Sequence, residues 1–342
     1  MALGYAIAKA NHTLIASVGS AAYEAALFGA AKGDGKIEIF APQNDEVRAR
    51  SCLPASAKPN QIHLHLVNGS DARRDEAIIE AADLVIAVAV RAGGQMETLL
   101  QSRWRAGKPT HVVRPDNDSI LWRGSRNLVN LGIPDVDADL LGPAREWIAR
   151  RPVVRHEKVD WTRFFQTWRQ APLASPTLAH FTRAAEGPWP GQSPADHWED
   201  LWAGGLRACR DAPATLLRML ETSTLLGSGR LIRGGFPVVS LTAVCPEKIL
   251  ELHRYRAHLI RWDFEPWGII FDRNWLVQTN ARPVKYLPGA SYRDLAVDEK
   301  PFFQKHEPPK CDYSAEEEWR IAGDLDFSNA PRDAVRLMVG DD

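Results

Sequence analysis

The sequence predicts an α/β protein: a doubly wound parallel sheet in its N-terminal part, a tryptophan-rich helical bridge, and a C-terminal α+β domain. Three observations carry that prediction. Strand and helix patterns alternate one for one across the first third of the chain. The run Leu84–Val90 (LVIAVAV) is continuously apolar, as a central parallel strand covered on both faces would be. None of the 12 tryptophans precedes Trp104, so the two halves differ in kind.

Residues 2–10 read as a helix and His12–Val18 (HTLIASV) as a strand. Ser20–Lys32 is a helix ended by Gly33 and Gly35, where left-handed backbone is cheap. Lys36–Ala41 (KIEIFA) is a strand stopped by Pro42, and His63–Val67 is a short one. Ser70–Ala82 is a helix with Ser70 as N-cap and Asp71 in its first turn. After the apolar strand, Gln95–Ala106 is a helix closed by Gly107, and Thr110–Arg114 is a strand closed by Pro115. Strands separated by single helices imply right-handed βαβ units.

The pattern breaks after residue 142. Helical pieces at Asp160–Arg169 and Asp196–Arg210 flank a Pro/Gly connector, EGPWPGQSP. From Pro213 a helix (Ala214–Glu221) is followed by short strands around Val238–Val244, Trp267–Phe271, Val284–Tyr286, Glu318–Ala322 and Val335–Val339, with a helix at Pro246–His258. The expected domains are therefore 1–142, a bridge over 143–212, and 213–342.

At 342 residues the chain is long enough for two or three domains with substantial cores. Its 42 basic and 43 acidic residues give a net charge of -1, which provides no global attraction for nucleic acid and leaves room for a local basic patch. The four cysteines form no C-x-x-C pair and read as reduced thiols of a cytoplasmic protein. The start MALGYAIAKA does not read as a secretory signal, and no apolar run reaches the ~20 residues that span a bilayer, so no membrane partner is expected.

In open parallel sheets, ligands bind at the carboxyl ends of strands. Gly93, Gly94 and Gln95 sit at such an end before a helix whose N-terminal amides attract phosphate, and Gly19-Ser20 offers a second such turn. Both also fit plain tight turns. The run Ala82-Asp83-Leu84-Val85-Ile86-Ala87-Val88, then Arg91-Ala92-Gly93-Gly94-Gln95-Met96-Glu97-Thr98, then Ala106-Gly107-Lys108-Pro109-Thr110, resembles the Rossmann-like superfamily of DNA-processing protein A and the lysine-decarboxylase-like cytokinin-activating proteins. The resemblance covers roughly residues 1–115. It implies binding of nucleotides, nucleotide-derived ligands or single-stranded DNA. The chain departs from that family in beginning on a helix instead of a strand with a Gly-Ser turn, which points away from hydrolysis and toward sensing or scaffolding.

The C-terminal part concentrates polar chemistry. In an extended Tyr313–Ile321, Glu316, Glu318 and Arg320 share one face, and paired carboxylates there suit acid–base work or stabilisation of a cationic transition state. An acidic turn entering a strand is the plainer account. Arg230 and Arg233 precede a strand bearing Ser240 and Thr242 on one face, and guanidinium forks suit phosphate. The run His253–Gly268 interleaves Arg256, Arg261 and Trp262 with other basic and aromatic residues, a composition suited to stacking on bases or to a basic helix face with an aromatic core corner. Cys245 reads as a nucleophile or as a buried apolar residue. The spacing of Cys245, His253, His258 and Cys311 matches no familiar zinc site, so no metal is expected.

The order Arg, Ser/Thr strand, late Glu resembles the ADP-ribosyltransferase fold, and most of all the bacterial toxins that ADP-ribosylate DNA bases, over roughly residues 213–342. That resemblance implies NAD as cosubstrate, with Arg233 or Arg230 on its pyrophosphate, Ser240 and Thr242 supporting the nicotinamide site, and Glu318 steadying the oxocarbenium-like sugar. Three functions emerge as alternatives. The first is a nucleic-acid-directed, ADP-ribosyltransferase-like enzyme in bacterial defence or DNA modification, working with other proteins of such an operon. The second is a DNA base-modifying enzyme that does without NAD, with Glu318 as acid–base group and Cys245 as nucleophile. The third is a non-enzymatic nucleotide sensor that regulates a partner.

Overall fold

Two glycines let the first two helices touch backbone to backbone. Helix α1 (Ala2–Lys9) crosses α2 (Ala21–Lys32) so closely that a Cβ on Gly4 would lie 2.0 Å from the Ala26 carbonyl oxygen, and one on Gly29 2.0 Å from that of Met1. Gly29→Ala is therefore expected to destabilise the fold by about 1–3 kcal/mol, the usual cost of overpacking. A urea midpoint equal to that of the unaltered protein would show that the helices do not meet this way. The structure is a computed structural model describing residues 1–68, 71–114, 122–136, 176–185, 187–244, 248–249, 252–256 and 261–339. The chain divides into two compact units, Met1–Val153 with Gly187–Cys209, and Val154–Glu186 with Arg210–Asp342.

In the first unit, β1 (Thr13–Ala16), β2 (Lys36–Pro42) and β3 (Ile62–Val67) form a parallel sheet in that order. Ser20 caps α2, its hydroxyl accepting from the Tyr23 amide, and α3 (Glu46–Ser51) comes after β2. Leu14, Ala16, Leu27, Phe28, Ile37 and Ile39 make the core. A second parallel sheet, β4 (Val85–Ala87), β5 (Thr110–Val113) and β6 (Asp135–Val136), packs with α4 (Asp71–Ala81), α5 (Gln95–Arg105) and α6 (Arg123–Asn130) around Ile79, Leu100, Val112, Leu128 and Ile133. Ser70, the expected cap of α4, lies outside the described residues.

The single doubly wound sheet expected from the sequence is thus drawn as two three-stranded parallel sheets. The run Leu84–Val90 is also corrected. Only three of its residues form a strand, which pairs on one side with β5, and Leu84 and Val88 stay 49% and 39% exposed. An apolar run marks a central strand only when both neighbours are present; here one flank has none among the described residues.

Part of the expected bridge belongs to the first unit. Helix α7 (Pro194–Ala203), capped by Ser193, lays Trp198, Leu201 and Trp202 on the core of α1, α2 and the first sheet, and Lys32 Nζ lies 2.7 Å from Glu199 Oε2. The expected helix at Asp160–Arg169 lies outside the described residues.

The second unit is built on an antiparallel sheet of which the sequence pattern shows only part. Its strands are β7 (Thr177–Phe181), β9 (Val238–Thr242), β12 (Gly268–Asp272), β13 (Arg282–Pro283), β16 (Glu318–Ala322) and β18 (Val335–Met338), in the order β13-β16-β9-β7-β12-β18. Strand β7 joins β9 through one residue pair, Ala179 with Thr242. Beside it His180 Nδ1, which must carry the proton because a carbonyl only accepts, lies 2.8 Å from the Ser240 oxygen. Burial lowers the pKa of that imidazole, which favours its neutral form.

One sheet face, with Leu178, Val239, Leu241, Ile269, Phe271 and Ile321, is covered by α8 (Ala212–Thr222) and α9 (Arg273–Gln278) through Leu216 and Leu276. The other carries Ala179 and Ile270 against Val244, Ile249 and Met338. Smaller ladders pair β8 (Thr224–Leu225) with β17 (Leu325–Asp326), and β14 (Lys285–Leu287) with β15 (Phe303–Lys305). The helix expected over Pro246–His258 is corrected at its C-terminal end: Arg254–Arg256 (β10) is a strand paired with Arg261–Asp263 (β11). No helix among the described residues is long and apolar enough to cross a membrane.

Candidate functional site

Some of the polar groups singled out in the C-terminal part come together on one sheet face, and others do not. Antiparallel pairing of β16 with β9 sets Glu318 opposite Thr242 and Arg320 opposite Ser240. Since alternate residues share a face, these four lie together on one side of the sheet, while Trp319 and Ile321 join the core on the other. Glu316 is not part of that strand. It ends a 3-10 turn, Ser314–Glu316, and Glu317 breaks the extended run with a φ of 40°. The expected shared face of Glu316 and Glu318 therefore does not form.

Glu318 is committed to its neighbour. Its two carboxylate oxygens each accept at 2.8 Å from Arg320, through Nε and Nη2. Arg320 is only 2% exposed, and it also donates to the carbonyls of Pro301 and Phe303 and to the Gln304 side chain. The guanidinium thus ties the chain at 301–304 onto the sheet. The Glu318 amide donates to the Tyr286 hydroxyl at 3.0 Å. Burial raises the pKa of that phenol, and the nearby carboxylates of Glu318 and Glu316 add to the effect. Thr242 is buried and its hydroxyl is used locally, donating to the Glu316 carbonyl and accepting from the Val244 amide. Ser240 is exposed. Cys245 lies outside the described residues.

Arg233 stands apart from this lattice and is exposed. The turn that carries it uses Gly234 and Gly235 at φ of 87° and 71°, the left-handed region that favours glycine. A Cβ on Gly234 would lie 2.3 Å from the Tyr292 hydroxyl oxygen, so no larger residue fits. That hydroxyl donates to the Arg233 carbonyl, and Arg233 Nη1 donates to the Gly289 carbonyl at 2.8 Å. The guanidinium carbon sits 4.3 Å from the centre of the Tyr292 ring and 5.7 Å from that of Phe303, and Lys300 Nζ lies 5.5 Å from the Tyr292 centre. Cation–π attraction at these distances holds the group in place without neutralising it. Among the described residues neither Arg233 nor Lys300 has a carboxylate partner, whereas Lys285 pairs with Glu299, Lys305 with Glu307 and Arg282 with Asp298. Arg230, on the same turn, is exposed. Arg256 pairs in register with Arg261 across the β10–β11 ladder, and Tyr255 with Trp262.

The glycine turns of the first unit are filled from within. The Gly93 amide donates at 2.6 Å to Glu97, a carboxylate 6% exposed that also accepts from Asn127. Gly94 caps α5 and its amide donates to the Arg91 carbonyl, while Gln95, the first residue of α5, is exposed. At the other turn the Gly19 amide donates to Glu24, which Arg48 also contacts at 2.8 Å. A carboxylate in the first turn suits the positive end of a helix dipole, and here it takes the amide a phosphate would use. Buried Arg74 closes the second turn, donating to the Val18 carbonyl, Asp71 and Asp75. Burial pushes the Cys52 thiol near Glu24 up to about 12, which leaves it unreactive.

No sequence motif marks Tyr292 and Phe303, which reach Arg233 from about sixty to seventy residues away, or Lys300, which lies against the Tyr292 ring. Glu97 is readable, because an acid four residues after a glycine turn falls in the first turn of the helix that comes next. No protein-family model matches this sequence, and no curated protein matches it.

Proposed function

We propose that this protein is directed at nucleic acid or nucleotides, and that its C-terminal unit grips the ligand's phosphate through Arg233, with Lys300 against the same Tyr292 ring. The observation that supports this is an exposed guanidinium fixed by a tyrosine, a backbone carbonyl and a two-glycine turn, with no carboxylate to neutralise it among the described residues. Such a group offers its remaining N–H donors, already oriented, to a phosphate oxygen.

The engagement of Glu318 bears on the step after binding. A carboxylate locked by both oxygens to a buried arginine is poorly placed to steady a developing sugar cation. The sensor reading, in which ligand binding regulates a partner in nucleic-acid defence or modification, is therefore preferred to ADP-ribosyl transfer with NAD and to base modification. Calorimetric titration with a short oligonucleotide or a nucleoside diphosphate at low salt tests the anion contact. Arg233→Ala is expected to weaken it about tenfold or more, the worth of one charged hydrogen bond. Equal affinity in both proteins would remove Arg233 from the site. Incubation with labelled NAD and DNA tests the choice between readings: transfer of label by the unaltered protein would restore the enzyme.

A further inference from the structure

The geometry points to single-stranded nucleic acid as the ligand of the Arg233 site, with one splayed base stacked on the guanidinium; this rests on the phosphate-gripping reading above and narrows it. Tyr292 and Phe303 back the guanidinium at 4.3 and 5.7 Å, and their own rings meet edge to face at 5.1 Å. Arg233 thus sits in an aromatic corner, and the residue is exposed. A flat, weakly hydrated cation presented in this way is a stacking platform for a nucleobase, and arginine planes serve unstacked bases of single strands in that manner. Bases inside a duplex are already stacked and cannot reach it.

Charge on the surrounding surface argues for a short footprint. Three nearby cations, Arg282, Lys285 and Lys305, are paired with Asp298, Glu299 and Glu307. Arg233 and Lys300, both against the Tyr292 ring, carry no such partner among the described residues. With these two cations meeting phosphates of a single strand, the logarithm of affinity should fall against that of salt with a slope of about 1.4.

The full chain is titrated with a short labelled oligothymidylate, the same length of abasic strand, and a duplex, each at several salt concentrations. The base-bearing strand is expected to bind about tenfold more tightly than the abasic one, the scale of one stacking contact. Arg233→Lys keeps the charge and removes the plane. In that variant the base-bearing strand should bind no more tightly than the abasic one, whatever the lost guanidinium fork costs both, with an unaltered thermal melt showing that the exposed site is still folded. Equal binding of base-bearing and abasic strands, equal binding of the duplex, or full affinity in Arg233→Lys would overturn the stacking inference while the phosphate contact stands. If none of the three strands binds at low salt, the phosphate-gripping reading falls as well.

Discussion

Glu318→Ala is expected to cost about 3–5 kcal/mol of stability, the usual penalty for leaving a buried charge unpaired. The reason lies in Arg320, which is 2% exposed and has no other carboxylate partner among the described residues; Glu318, 14% exposed, supplies both of the charged contacts. The remaining partners, two backbone carbonyls and a glutamine oxygen, are neutral. Urea unfolding monitored by tryptophan emission would show the midpoint shift, and Glu318→Gln, which keeps an oxygen acceptor, should lose less. A midpoint unchanged in Glu318→Ala would mean that Arg320 is solvated and that the carboxylate is free for chemistry after all. Any activity lost in this variant therefore has to be measured beside its stability before it is assigned to catalysis.

Arg103→Met comes next in expected size, at about 3 kcal/mol or more, because each abandoned buried acceptor costs about 1–3 kcal/mol. Arg103 is 5% exposed and donates only to backbone carbonyls: Ile79 at 2.6 Å, Ala82 at 2.7 Å, Asp83 at 2.9 Å and Pro109 at 3.3 Å. It closes the C-terminal end of α4, where a cation complements the helix dipole, and joins that end to the approach to β5. Methionine matches the length of the side chain and fills the space, but it leaves those carbonyls without a donor. Hydrogen exchange would localise the loss, with amides of α4 and β5 expected to open first. Protection retained in both elements would show that the carbonyls find water instead.

The contrast between these arginines and Arg233 explains how far the sequence is legible. Local signals serve well where the structure they specify is local. The helix read over Ser20–Lys32 is α2 with Ser20 as its cap, Glu318–Ala322 is a strand with the predicted bounds, and within their own strands Ser240 with Thr242 and Glu318 with Arg320 share a face as read. Non-local partners decide the rest. The run Leu84–Val90 is apolar enough for a central strand, but burial depends on a neighbour the run does not encode. Strand β7 is hidden within the tryptophan-rich stretch because its partners, β9 and β12, lie far along the chain. Arginines at 103, 233 and 320 look alike in sequence; what separates a clamp from a binding group is how many of the guanidinium's donors are taken, among the described residues one hydrogen bond for Arg233 against four for Arg103 and five for Arg320.

The single pair joining β7 to β9 gives the larger sheet a mechanical character. Its ladder divides into two three-stranded leaves, β13-β16-β9 and β7-β12-β18, stitched at Ala179 and Thr242 and pinned once more by the His180 imidazole. A sheet usually yields from its rims inward, since interior strands hold most ladder bonds. Here the ladder is thinnest down the middle. What holds the leaves together across that seam is their common core, Leu178, Ile269 and Phe271 from one and Val239, Leu241 and Ile321 from the other, under Leu216 and Leu276.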